Sequence, residues 1–150
     1  GLTMGCIMNY QELEQEIQDK GLTAPRVTPA DIEANIVSEH YFTAADAVAG
    51  YHPAISVLIN GLREHAPKVL GAWDSARAKV EGEVPQSLGL LTFCVLVLRN
   101  GFTVTGESAC ASPENFDAEI GRQIARQNAV QKIWPLLGFA LKERLHAEGG

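Results

Sequence analysis

Apolar residues recur every three or four positions through the first half of the chain, and this spacing predicts helices. Tyr10, Leu13 and Ile17 share one face of a first helix over about 9–20, which Lys20-Gly21 would stop. In "TAPRVTPADIEANI" Thr28 is a good N-cap, Pro29 fits the first helical position and Asp31 suits the positive helix end. The second helix then buries Ile32 and Ile36. Thr43-Ala44-Ala45-Asp46 writes a third start, close to a capping box. Residues 52–80 stay helical with breaks. Pro53 starts one helix with Ile55, Leu58 and Leu62 on its apolar face, and Pro67 restarts another with Leu70 and Trp73. The stretch "VEGEVPQSLG" ends that pattern with two glycines and a proline.

The period then changes. "LLTFCVLVL", residues 90–98, is apolar and rich in strand formers, and it meets Asn100-Gly101, the pair favoured in a two-residue type I′ hairpin. Such a loop would set Arg99 opposite Phe102, Val97 opposite Val104 and Leu96 opposite Thr105. Phe93, Val95, Val97, Phe102 and Val104 would share one face; Cys94, Leu96, Leu98, Thr103, Thr105 and Glu107 would share the other. Both faces are partly apolar, so both are expected to be covered. Cys94 would oppose Glu107 and Cys110 would oppose Leu91, on opposite faces, which excludes a disulfide between them.

After the loop "GESACASPEN", Ser112 reads as an N-cap with Pro113 at the first helical position and Glu114 and Asp117 near the positive end. Phe116, Ile120 and Ile124 make an apolar row. Gly121, Ala125 and Ala129 make a row of small residues beside it, open to close approach by another backbone. Pro135 should end or kink the helix. A last helix then buries Leu137, Leu141 and Leu145 and carries Lys142 and Arg144 near its negative end. The fold class is therefore α+β: a helical N-terminal part, one β-hairpin at about 90–106, and two C-terminal helices at about 113–134 and 136–146. Residues 9–150 form one domain with a helical insertion at about 49–89. Residues 1–8 read as a disordered or vector-derived leader.

Composition narrows the function classes. A chain of 150 residues with 46% hydrophobic and 20% charged residues can bury a sizeable core. Its net charge of −6 argues against general nucleic-acid binding. No apolar run is long enough for a membrane span, and the start lacks the pattern of a secretion signal, so the expected location is the cytoplasm. Three cysteines without CxxC spacing and four histidines without HxxH or HExxH spacing give no metal site and imply no cofactor.

Catalytic chemistry is not written in the chain. Gly106-Glu107-Ser108-Ala109-Cys110 has the outline of a nucleophile elbow but places cysteine where the second glycine is required. Cys110 has no histidine near it in sequence to act as a base, so the expectation is a protein that is not an enzyme. The candidates for ligand binding are Arg122, Arg126, Glu107, Ser108, Thr105, Ser112 and Phe102. Arg122 and Arg126 stand one helical turn apart; Glu119 can pair with Arg122, whereas Arg126 has no acid four residues away on either side. Arginine recognises phosphate and carboxylate bidentately, so the pair reads as an anion site. Phe102 and Trp134 offer rings that could stack on a base.

The stretch "LLTFCVLVLRNGFTVTGESACASPENFDAEIGRQIARQNAVQKIWPLLGFALKERL" and the upstream "RVTPADIEANIVSEHYFTAADAV" resemble the phage "gene product 49" family of small phage and prophage proteins. That resemblance implies a phage or prophage origin and a role inside the infected host cell. Two functional classes follow. One is a binder of a small anionic, nucleotide-like ligand, acting by sequestering a host defence signal. The other is an interaction module that inhibits or recruits a host protein through residues 49–89. In either class a homo-oligomer, most simply a dimer, is expected, because a lone hairpin leaves open strand edges.

Overall fold

The computed structural model describes residues 10–50 and 53–149. The leader, with Cys6, and His52 lie outside them. The elements run α1 (Tyr10–Asp19), α2 (Pro29–Asn35), β1 (Ile36–Thr43), α3 (Ala44–Ala49), α4 (Pro53–His65), α5 (Pro67–Glu83), β2 (Leu91–Leu98), β3 (Thr103–Ala109) and α6 (Ala118–Ala147). Short 3₁₀ turns occupy Gln86–Leu90 and Pro113–Asn115. The class is α+β, with one antiparallel sheet in the order β1-β2-β3 and the long C-terminal helix packed on one face.

The N-terminal caps form as their residue types dictate. Thr28 Oγ1 accepts from Asp31 N at 3.1 Å while Asp31 Oδ2 accepts from Thr28 N at 2.9 Å, and Thr43 and Asp46 repeat the same reciprocal pair. The second helix, however, stops at Asn35, and "IVSEHYFT" is strand β1 rather than more helix. Valine, isoleucine, tyrosine, phenylalanine and threonine fill five of the eight positions, counting each type once, and all favour a pleated surface. Tertiary pairing decides the matter: β1 aligns Phe42 with Phe93, Tyr41 with Cys94 and Glu39 with Leu96.

The hairpin is real, but its register is one residue away from the two-residue loop. Leu98 N donates to Phe102 O and Gly101 N donates to Leu98 O, both at 2.8 Å, so Arg99-Asn100-Gly101 is a three-residue loop. Gly101 takes the left-handed conformation at φ 89°, and no other residue type among those described has a positive φ. Asn100 therefore stays in the ordinary region, and its carboxamide oxygen accepts from Phe102 N at 2.9 Å. This is the type I turn followed by a left-handed glycine, the next commonest hairpin after the primed turns. The slip turns all of β3 over. Val104 now pairs with Leu96 and Gly106 with Cys94, while Glu107 pairs with Phe93. The helix face carries Cys94, Leu96, Leu98, Val104 and Gly106; the other carries Phe93, Val95, Val97, Thr103, Thr105 and Glu107. Cys94 and Cys110 are both free thiols, but the opposite-face argument does not hold in the observed register, which pairs Cys94 with Gly106 and Leu91 with Ala109.

The small-residue row is consumed within the chain. Ala125 and Ala129 are fully buried against the sheet, in line with buried Gly121 and Ile133. Opposite them Gly106 has no side chain to spare, since a Cβ there would overlap the backbone of Ala125 and Ala129. Close approach of helix to strand is thus internal, and the row offers no surface to a second chain. Phe116 and Ile124 are only half-buried and Ile120 is exposed, so the larger apolar row is not the core face.

Two further features of α6 depart from expectation. Its N-cap is Asp117, whose Oδ1 accepts from Ile120 N at 2.9 Å, while Ser112 makes no side-chain cap and precedes only the 3₁₀ turn. The helix also runs unbroken through Pro135 for 30 residues, rather than as two helices. Proline removes one backbone bond and crowds the preceding turn, a cost of about 3 kcal/mol. Burial on both sides holds the axis: Ile133 is in the core, and Val130, Trp134 and Leu137 pack against it. Helix α1 joins this end through the Tyr10 and Trp134 rings, 5.2 Å apart, and is tied to the linker before α2 by Arg26, which donates to both Glu14 carboxylate oxygens at 2.7 and 2.6 Å.

Candidate ligand-binding site

Arg126 rises from the middle of α6 toward α2 and the start of the sheet. Its Nη1 and Nη2 donate to both carboxylate oxygens of Glu33 at 3.1 and 2.8 Å, and its Nε and Nη2 donate to those of Glu39 at 2.9 and 3.1 Å. One guanidinium therefore chelates two carboxylates, the arrangement for which its planar fork is suited. Tyr41 adds a hydroxyl that donates to Glu39 Oε1 at 2.6 Å. The bonds from Arg126 and then from Tyr41 hold the Glu39 carboxyl below the usual carboxylate range. Burial, reinforced by Glu39, pushes the Tyr41 phenol up, and burial likewise pushes the Cys94 thiol up. The expectation of an under-paired Arg126 is thus corrected: its acids come from 93 and 87 residues away, where helical spacing cannot reveal them.

Arg122 is different. Its Nη2 donates to Glu119 at 2.8 Å, the i,i+3 pair that the spacing suggests, and both side chains are well exposed. It lines a crevice of about 100 Å³ with Tyr41, Thr43, Asp46, Thr92 and Phe116. That is smaller than the roughly 300–1,000 Å³ usual for small-molecule sites.

The remaining candidates do not converge on the two arginines. Glu107 is exposed on the face away from α6, with Thr105 Oγ1 donating to it at 3.4 Å. Ser108 is half-buried opposite Thr92. Ser112 is exposed, and its carbonyl accepts from the Cys110 thiol at 3.1 Å. Asn128 Nδ2 donates to the Glu107 carbonyl at 2.7 Å, so α6 caps part of the open backbone edge of β3.

Phe102 and Thr105 do meet other groups. Phe102 is 56% exposed, on the loop side of β3. On one side of it lies a cleft of about 510 Å³ whose lining includes Asn35, Arg99, Asn100, Leu136 and Leu137. On the other lies a groove of about 410 Å³ that includes Thr105, Lys132 and Pro135. Phe102 and Leu136 line both. Arg99 is anchored by Nη2 donating to the Ala34 carbonyl at 2.8 Å and by its backbone N donating to Asn35 O at 2.9 Å. Among the described residues it has no carboxylate partner. Among the described residues Lys132 Nζ reaches only the Thr105 hydroxyl, at 3.4 Å. An exposed ring is thus flanked by two cations that no acid among the described residues neutralises.

Arg99, Lys132 and Asn35 were missed in the sequence because each belongs to a different element. The turn signal places Arg99 at the loop, but only the pairing of Ile36 with Leu98 brings it beside the end of α2. Trp134, the other candidate ring, packs against the core instead. Among the described residues no cluster of His, Cys, Asp or Glu could hold a metal ion, and no helix is long and apolar enough to cross a membrane. The model of the Phage protein (N4 Gp49/phage Sf6 gene 66) family matches residues 27–145. Comparisons with curated proteins and with solved structures return no match.

Proposed function

The chain belongs to the Phage protein (N4 Gp49/phage Sf6 gene 66) family, and on that premise we propose that it is a phage accessory protein that binds a small anionic, nucleotide-like ligand. The observation that carries the reading is the exposed Phe102 ring between Arg99 and Lys132, in adjoining clefts of small-molecule size. A base can stack on the ring, and a phosphate can draw charge-assisted bonds from the guanidinium or the ammonium. The carboxamide oxygens of Asn35 and Asn100 already accept backbone bonds, which leaves their NH₂ groups as donors for a ligand. The binding site shifts accordingly: Phe102 and Thr105 stay, Arg99 and Lys132 enter, and Arg126 serves the fold.

Binding of this kind assigns the chain no reaction of its own. In the host cytoplasm it would hold a nucleotide signal of the host's defence out of circulation. Calorimetric titration with linear and cyclic nucleotides tests the reading. Arg99→Ala and Phe102→Ala should each weaken binding at least tenfold, whereas Arg122→Ala should leave it within about twofold. Binding that survives both of the first two substitutions would remove the cleft from the account.

The alternative, an interaction module built on the helical insertion, is favoured by one observation. Helices α4 and α5 pack mainly on each other and leave large apolar side chains exposed, Val57 and Leu58 among them.

A further inference from the structure

The arm formed by α4 and α5 buries Ile59 and Leu70, outside the main core cluster. A second apolar stripe on α5 has no such cover. Val69 is 60% exposed, Trp73 39% and Val80 44%, with Ala76 exposed between them. Steps of four, three and four residues keep these side chains within one narrow strip along about 16 Å of helix. Leu70 lies about a quarter-turn away, so the strip is distinct from the face used inside the arm.

We propose that this strip is a self-complementary seam through which two copies of the chain pair, with their α5 helices antiparallel. The order of side-chain sizes carries the assignment. A two-fold axis crossing α5 midway between positions 73 and 76 sets Trp73 of one copy against Ala76 of the other, twice over. The same operation sets Val69 against Val80. Large thus meets small at the centre and equal meets equal at the ends, as an isologous contact requires. Charge agrees. Residues 53–83 hold four basic and four acidic residues, so the −6 of the chain lies entirely outside the arm. Two arms can meet without the repulsion that would oppose contact between two acidic bodies. Val57 and Leu58, the arm's other exposed large apolar residues among those described, give the paired arms further surface to bury as a four-helix bundle.

Sedimentation velocity on the full chain at tens of micromolar tests this. The wild type should be a dimer, and Trp73→Ala should raise its dissociation constant at least tenfold with the melting temperature of the sheet domain unchanged. The exchange variant Trp73→Ala/Ala76→Trp should recover the dimer, because the two-fold merely swaps the partners. A Val69→Lys/Val80→Lys variant should be monomeric. Four outcomes would overturn the proposal: a monomeric wild type, whether or not its arm captures a host protein, a dimer indifferent to Trp73→Ala, a dimer that the exchange variant fails to recover, or a Val69→Lys/Val80→Lys variant that still dimerises.

Discussion

Arg126 and Arg99 carry the same charge on the same chain and end in opposite situations. Arg126 sits between α6, α2 and β1, where two carboxylates take four of its hydrogen bonds. Arg99 sits at the hairpin loop, where one backbone carbonyl is its guanidinium's partner. An anion approaching Arg126 must displace Glu33 and Glu39; one approaching Arg99 meets no carboxylate among the described residues. A cation's worth as a binding group is therefore set by what the fold already pairs it with. The same contrast separates the two regions. Around Arg126 the protein is closed, with backbone against backbone at Gly106. Around Arg99 it is open, with an exposed ring and two clefts.

The largest expected effect breaks the closed region. Gly106→Ala should cost about 3 kcal/mol or more in chemical denaturation, because the added carbon meets backbone atoms that cannot rotate aside. A neutral result would mean that α6 does not seat against β3 this closely. Next, Arg126→Ala removes the cation shared by Glu33 and Glu39 and leaves Glu39 with the Tyr41 hydroxyl as its donor. The groups are partly exposed, so the cost is about 1–2 kcal/mol after screening, and Arg126→Lys should recover only part of it. Ligand binding should persist in both variants when they are folded.

A smaller effect appears with acid. Glu39 has its folded pKa depressed by Arg126 and Tyr41, so its contribution to stability is fully present above the unfolded value of about 4. It is lost as pH falls through the folded value. Stability of the wild type should therefore drop more steeply below about pH 4 than that of Arg126→Ala, measured by urea denaturation across pH. Parallel profiles would show that the chelate adds nothing. The smallest effect is at Cys110. Its thiol donates to the Ser112 carbonyl, a bond that a hydroxyl can replace, so Cys110→Ser should change stability by no more than about 0.5 kcal/mol and leave binding intact.

What the sequence made legible was local. The caps at Thr28 and Thr43, the stop at Gly21, the hairpin and the arm's two prolines all depend on neighbours within a few residues, and all lie where the pattern puts them. The register of β3 failed because Asn-Gly serves two loop types, and one residue of difference reverses both faces. The unbroken α6 was hidden because Pro135 is a local signal and the burial of Ile133 is not. The site suffered most from this. The i,i+3 partner of Arg122 was readable, whereas Glu33 and Glu39 reach Arg126 only once β1 is known to pair with β2.

Where an anionic ligand touches the protein separates the open region from the closed one. Backbone amide shifts followed by NMR during titration with the nucleotide that binds in calorimetry would report this directly. Shifts concentrated at Arg99–Thr105 and around Lys132, with the amides of Glu33, Glu39 and Arg126 still, are the predicted result. Shifts centred on Glu33, Glu39 and Arg126 would mean that the ligand opens the chelate, and would contradict the claim that this arginine belongs to the fold.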